Sequence, residues 1–143
     1  LEKMELRDGN YELFKGLCIM MFHHIGVATN DLFQSLVFVR ENFDILDCTD
    51  TIYDAEQDAH LIMIKTKDLN IELVSGNVVK SFISKKQSYY HICYEVNDIE
   101  KAINSFSYSI LAAPPKRAIL FNNRKVAFLL TPIGLIELLE SDK

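Results

Sequence analysis

The chain says two things twice, in the same order and at nearly one spacing. "HHIGVATNDL" at 23–32 returns as "YHICYEVNDI" at 90–99, each a His-Ile pair with Asn-Asp five residues beyond the Ile. The histidines His24 and His91 are 91 − 24 = 67 positions apart. "IELV" at 71–74 returns as "IELL" at 136–139, an offset of 136 − 71 = 65. Two recurring words in one order predict a duplicated module. A chain of 143 residues has room for one compact domain, or for two small modules tightly paired.

Local periodicity says what each module contains. "MFHHIGVA" alternates as a strand, with Phe22, His24, Gly26 and Ala28 on one face and His23, Ile25 and Val27 on the other. In the second copy Tyr89, His91, Cys93 and Glu95 share a face. Tyr90, Ile92, Tyr94 and Val96 form the bulkier face, which should meet a helix. Asn30-Asp31 and Asn97-Asp98 are helix N-cap residues, because their side-chain oxygens accept the free amide protons of a first turn. Leu32, Leu36, Val39 and Phe43 then recur at helical spacing, as do Ile99, Ala102, Ile103 and Phe106. The second helix should end before "APP" at 113–115. Two hairpin-like pairs of apolar runs follow, at 60–66 with 70–75 and at 125–131 with 135–140. Each half therefore reads strand, helix, then two or three strands. The expected class is α+β, with helices on one face of a largely antiparallel sheet. A polar linker spans about 76–88, and residues 1–20 are expected to be an N-terminal extension.

Composition excludes several function classes. Hydrophobic residues make up 49% of the chain, enough for a full core. A net charge of −5 with no Lys/Arg stripe excludes a nucleic-acid surface. The longest apolar run near the start, "GLCIMMF" at 16–22, is far short of the roughly 20 residues of a membrane span. Cys18, Cys48 and Cys93 are an odd count without CxxC spacing. They read as reduced thiols, which places the protein in the cytoplasm.

Each half supplies one His in its first strand and one Glu in its last: His24 with Glu72, and His91 with Glu137. Related by a pseudo-twofold axis, these four side chains converge. Glu137 shares a strand face with Leu135 and Leu139, while Ile136 and Leu138 fill the other. A carboxylate in such surroundings is partly buried, and a buried charge needs a partner. A single divalent cation answers that need for both carboxylates. Two imidazoles and two carboxylates suit Zn, Ni, Co, Mn or Fe.

The stretches "HHIGVATNDL", "IELV", "YHICYEVNDIEKAI", "NNRKVAFL" and "GLIELLE" resemble the vicinal oxygen chelate superfamily. That group includes glyoxalase I, methylmalonyl-CoA epimerase, extradiol dioxygenases and bleomycin-resistance proteins. The resemblance covers about residues 21–140 and is nearest to the epimerase and glyoxalase-like branch. It implies paired βαβββ modules, at 21–75 and 89–140 within a domain of 21–143, forming a cup around one metal ion. It places the ligands at His24, Glu72, His91 and Glu137, and it implies a homodimer.

The function implied is a metal-dependent isomerase, epimerase or lyase that moves a proton next to a carbonyl. Glu137 is the expected base, and thioesters and hemithioacetals are candidate substrates. Epimerases of the group use a second carboxylate on a middle strand. Here Leu61 stands at that position, with His60, Asp58 and Glu56 nearby, so one-base chemistry on Glu137 is expected. An extradiol dioxygenase would use His24, His91 and Glu137 and has no place for Glu72. A drug-binding module would need none of the four. Lys116, Arg117 and Arg124 are read first as solvated turn charges and second as substrate anchors.

Overall fold

The computed structural model describes residues 19–142. The expected N-terminal extension falls almost wholly outside them, as does Cys18. The fold is α+β: among the described residues three helices pack on a nine-stranded open sheet. In chain order the elements are β1 (Met20–Ala28), α1 (Leu32–Asn42), β2 (Ile45–Cys48), β3 (Ile52–Asp54), β4 (Ala59–Thr66), β5 (Asn70–Gly76), α2 (Lys80–Ser84), β6 (Tyr89–Val96), α3 (Ile99–Ser105), β7 (Ile110–Ala118), β8 (Arg124–Thr131) and β9 (Gly134–Glu140). Short 3-10 turns cover Asn77–Val79 and Ile119–Phe121. Among the described residues no helix is long and apolar enough to cross a membrane.

The strand order is β2-β4-β5-β1-β6-β9-β8-β7, with β3 also paired to β4. Read outward from the central antiparallel β1–β6 pair, the two halves match. Each places its last strand parallel to its first (β5 on β1, β9 on β6), then an antiparallel hairpin partner (β4, β8), then an edge. This is the βαβββ plan in duplicate. The partners of Glu72 and Glu137 in the hairpins are Met63 and Phe128. They are 128 − 63 = 65 apart, so the two-residue difference is absorbed between helix and hairpin. There the first module makes two short strands, β2 and β3, where the second makes β7.

The caps form where the side-chain chemistry puts them. Asp31 Oδ1 accepts from the Gln34 amide at 2.9 Å, and Asp98 Oδ1 from the Lys101 amide at 3.0 Å. Leu32, Leu36 and Val39 press α1 onto Ile62, Ile64 and Leu73. Phe43 lies just past that helix and is exposed. Ile99, Ala102, Ile103 and Phe106 seat α3 on Leu129, Ile136 and Leu138. Pro114 and Pro115 lie within β7, well after the helix ends. That strand is an edge paired on one side only, and its register with β8 slips between Ala113 and Lys116, the stretch that holds both prolines.

Two expectations are corrected. The 76–88 segment is not a free polar linker: Val79 is fully buried, and Phe82 and Ile83 pack on the same inner cluster as Leu61, Val74 and Tyr90. Strict alternation also fails at two points. A β-bulge inserts His23 between the Phe22–Tyr94 and His24–Cys93 pairs, and a second inserts Tyr90 between the Gly26–His91 and Val27–Tyr89 pairs. A bulge adds one residue and turns its side chain off the expected face. His23 therefore joins His24 instead of opposing it, with ring centroids 5.1 Å apart. Tyr90 joins the inner cluster, while Tyr89 is left 75% exposed.

Candidate metal centre

The four central strands, β5, β1, β6 and β9, each bring one polar side chain to the inner face: Glu72, His24, His91 and Glu137. All four are buried, with His24 at 0% exposure and the others at 3–4%. One ligand atom from each lies within 4.8 Å of the others. His24 Nε2 is 3.1 Å from His91 Nε2, 3.4 Å from Glu72 Oε2 and 3.3 Å from Glu137 Oε1. Apolar clusters containing Leu61 and Tyr90, and Cys93, Phe121 and Leu139, are built from the same strands and their neighbours.

Cross-strand register explains the convergence. Gly26 pairs with Glu72 on β5 and with His91 on β6. Cys93, 67 positions later, pairs with His24 and with Glu137. Gly26 matters because it has no side chain. A Cβ there would stand 2.1 Å from Cε1 of His91 and 2.3 Å from its Nδ1, so the glycine is the space the imidazole fills. Gly26→Ala must push the ring aside and is expected to cost about 1–3 kcal/mol, as overpacking does. A chemical denaturation curve with an unchanged midpoint would show that the ring can yield freely. In the second module Cys93 takes the glycine's place, and its thiol hydrogen-bonds Glu137.

The electrostatics follow from burial. Desolvation holds His24 down to about 2, helped by His91 and His23, and holds His91 down to about 3. Both rings are therefore neutral, with lone pairs to offer. Desolvation lifts Glu137 to about 7 against the opposing thiol hydrogen bond. Glu72 is raised well above the carboxylate range by burial, then by Glu137 and Asp54. Glu137 Oε1 and His91 Nδ1 are buried without a hydrogen-bond partner. Of the two, Glu137 Oε1 faces His24 Nε2 within the quartet, whereas His91 Nδ1 is the ring nitrogen on the far side from His24.

The remaining candidates fall elsewhere. Leu61 is buried in an apolar cluster. Glu56 is exposed, His60 lies against Tyr53, and Asp58 is bound by Tyr53 and Asn77. Arg124 pairs with Glu95 at 3.0 Å and donates to the Phe121 carbonyl, and Arg117 donates to the Asn123 carbonyl. Arg124 is held by these contacts, and Arg117 lies exposed beside its turn. Sequence reasoning missed Asp54, a buried carboxylate whose charge reaches Glu72. It accepts from the Glu56 amide and the Gln57 side chain, so it serves the β3–β4 turn. Its only sequence signal was its place ahead of that turn. His23 was missed as well, because nothing in the alternation announces a bulge.

A family model described as Glyoxalase/Bleomycin resistance protein/Dioxygenase superfamily matches residues 23–128. The chain belongs to this superfamily. The matched span holds His24, Glu72 and His91 and stops before β9, so Glu137 is assigned by geometry and by the internal repeat. Solved structures of the same fold include methylmalonyl-CoA epimerase from Mycobacterium tuberculosis, at 16% identity and a TM-score of 0.69, over 85% of this chain and 88% of that one. A hypothetical protein from Bacillus halodurans C-125 matches at 22% identity and TM-score 0.67, over 87% and 96%. A 4-hydroxymandelate synthase variant from Streptomyces coelicolor matches at 10% identity and TM-score 0.54, over 85% and 48%. These likenesses establish the fold. No curated protein matches the sequence.

Proposed function

We propose that this superfamily member is a divalent-metal enzyme that transfers a proton next to a carbonyl, as an isomerase, epimerase or lyase. Residues 21–143 form the working unit, with modules at 21–75 and 89–140. The observation that carries the reading is the buried quartet of two neutral imidazoles and two carboxylates. Atoms ligating one ion at ~2.1 Å stand about 3.0–3.4 Å apart, and the separations from His24 Nε2 are 3.1, 3.3 and 3.4 Å. The unpartnered Glu137 Oε1 belongs to the same set. The donor set fits Zn, Ni, Co, Mn or Fe.

A divalent cation in this quartet supplies an electrophile for a substrate carbonyl oxygen. His24 and His91 hold position as neutral donors, backed by Phe121 and Phe128. Glu72 adds charge from a strand whose other face is locked under α1. Glu137 takes the proton next to the carbonyl and returns it to the neighbouring carbon or oxygen. Glu137 is the one carboxylate of the pair whose Oε1 has no hydrogen-bond partner, which leaves that oxygen free to accept the proton. Leu61 offers no second acid, and Asp54 is occupied by its turn. An extradiol dioxygenase reading is disfavoured by Glu72, which takes up a ligand position such chemistry leaves open.

The test is elemental analysis of protein purified without chelator, followed by Co(II) titration of the stripped chain. One ion per chain is expected in the wild type, and His91→Ala should lose it. A stripped chain that takes up none of the five metals at millimolar concentration would end the proposal. Turnover is then sought on 2-oxo aldehyde hemithioacetals and 2-methyl-branched acyl thioesters.

A further inference from the structure

His23 is a half-buried imidazole outside the quartet, yet its Nδ1 lies 2.8 Å from His24 Nδ1. A hydrogen bond between two ring nitrogens needs one N–H and one lone pair. A neutral imidazole has a single N–H, so the proton shared here decides what His24 presents at Nε2. When His24 Nδ1–H donates to His23, Nε2 keeps a lone pair facing His91, Glu72 and Glu137. When His23 donates instead, Nε2 carries the proton and cannot ligate. His24 cannot choose between these forms independently of its neighbour.

The contact is held from several sides. The β1 bulge creates it, and Asn70 Nδ2 donates to the His23 carbonyl at 3.0 Å. Phe121 stacks on His24 at 5.6 Å and meets His23 edge-on at 5.7 Å. The second module repeats the bulge at Tyr90, at the same offset of 90 − 23 = 67, but not the hydrogen bond. Tyr90 sets its ring edge-on to His91 at 4.5 Å, and His91 Nδ1 has no partner. Only one of the two histidine donors therefore has an acceptor behind it. His23, His24 and Cys93 also place donor atoms within 4.8 Å of one another. The 2.8 Å separation of the two ring nitrogens is that of a hydrogen bond.

We infer that His23 is a positioning residue that accepts a hydrogen bond from His24 Nδ1, fixes the tautomer of His24, and so frees Nε2 to bind a divalent cation. The inference rests on the metal reading above. It is tested on the full chain by Co(II) titration of wild type, His23→Phe and His23→Asn. Phenylalanine keeps a ring against Phe121 but cannot accept a hydrogen bond. Asparagine loses the ring but places an amide oxygen where Nδ1 was. His23→Phe should weaken Co(II) binding 10–100-fold, the usual loss when a ligand's supporting hydrogen bond is removed, while His23→Asn stays within about threefold of wild type by the same reasoning. Histidine-¹⁵N NMR of the zinc-loaded wild type should show the His24 proton on Nδ1. Wild-type affinity in His23→Phe, equal losses in both variants, or zinc bound through Nδ1 of His24 would each overturn the inference while leaving the metal site standing. A wild-type chain that binds no Co(II) would overturn the metal reading itself.

Discussion

Glu137→Gln is expected to lower turnover by roughly 10²–10⁴-fold, the usual contribution of a positioned general base, while leaving most of the metal in place. The substitution keeps an oxygen that can ligate and removes the group that can accept a proton. The surroundings favour that split. Ile136 and Leu138 lock β9 under α3, and Leu135 and Leu139 pack within the cup, so the amide sits where the carboxylate did. Glu72→Gln should be milder, because it removes charge from the quartet without removing the base. Solvent deuterium should enter the product from one face only. Leu61 is buried in an apolar cluster, and Asp54 is held by turn amides and Gln57. Rates from stopped assays, metal content of the same samples and proton NMR of the product in D₂O decide the matter. A Glu137→Gln enzyme that turns over at the wild-type rate, or deuterium incorporated equally into both epimers of a methyl-branched thioester, would transfer the base role to another residue.

Stripping the metal should leave a chain whose stability is flat between about pH 4.5 and 6.5 and falls on either side. The four buried groups dictate this shape. Glu137 is raised to about 7 and Glu72 is raised further from the ordinary range. A group with a raised folded pKa contributes fully below its unfolded value and loses that contribution as pH rises through the folded one. His24 and His91 are depressed to about 2 and about 3. Their contribution is full above 6.5 and is lost as pH falls below it. Between about 4.5 and 6.5 the unfolded chain gains two histidine protons from His24 and His91, and part of a third from His23, whose pKa burial also lowers, while the folded chain holds two carboxylate protons, so the slopes nearly cancel. Above that window only the carboxylate cost remains.

A divalent ion removes that cost, because bound ligands are deprotonated. Metal at about a thousandfold over its dissociation constant adds roughly 4 kcal/mol, or a rise in melting temperature of roughly 10 °C for a chain of this size. The rise should be larger at pH 8 than at pH 5.5. Thermal melts of stripped and zinc-loaded protein across pH 4–9 measure it. A metal-induced shift that shrinks as pH rises would contradict the assignment of Glu72 and Glu137 as ligands.

Much of this architecture was legible in one dimension. The paired words at offsets of 67 and 65 carry the duplication, because each module must make the same strand-helix-hairpin turn and uses the same residues to make it. Asp31 and Asp98 cap their helices through hydrogen bonds that span only three residues. Alternation in "IELV" and "IELL" put Glu72 and Glu137 opposite the helix-facing side chains, where they lie. These features depend on neighbours a few positions away, and local sequence determines them.

Other features depend on partners far along the chain. Whether β1 bulges at His23 is settled by its pairing with β6, whose residues lie about 70 positions later, and a one-residue insertion reverses every face assignment beyond it. The polar 76–88 stretch is buried at Val79 only because Leu61, Val74 and Tyr90 gather beneath it. Gly26 reads as an ordinary small strand residue until the His91 ring is found in the space its missing side chain leaves. Sequence alone named the four donors of the candidate centre. Their separations, their neutral imidazoles and the His23 contact behind one of them were decided by the tertiary structure, because register and burial are properties of strands brought together rather than of any one strand.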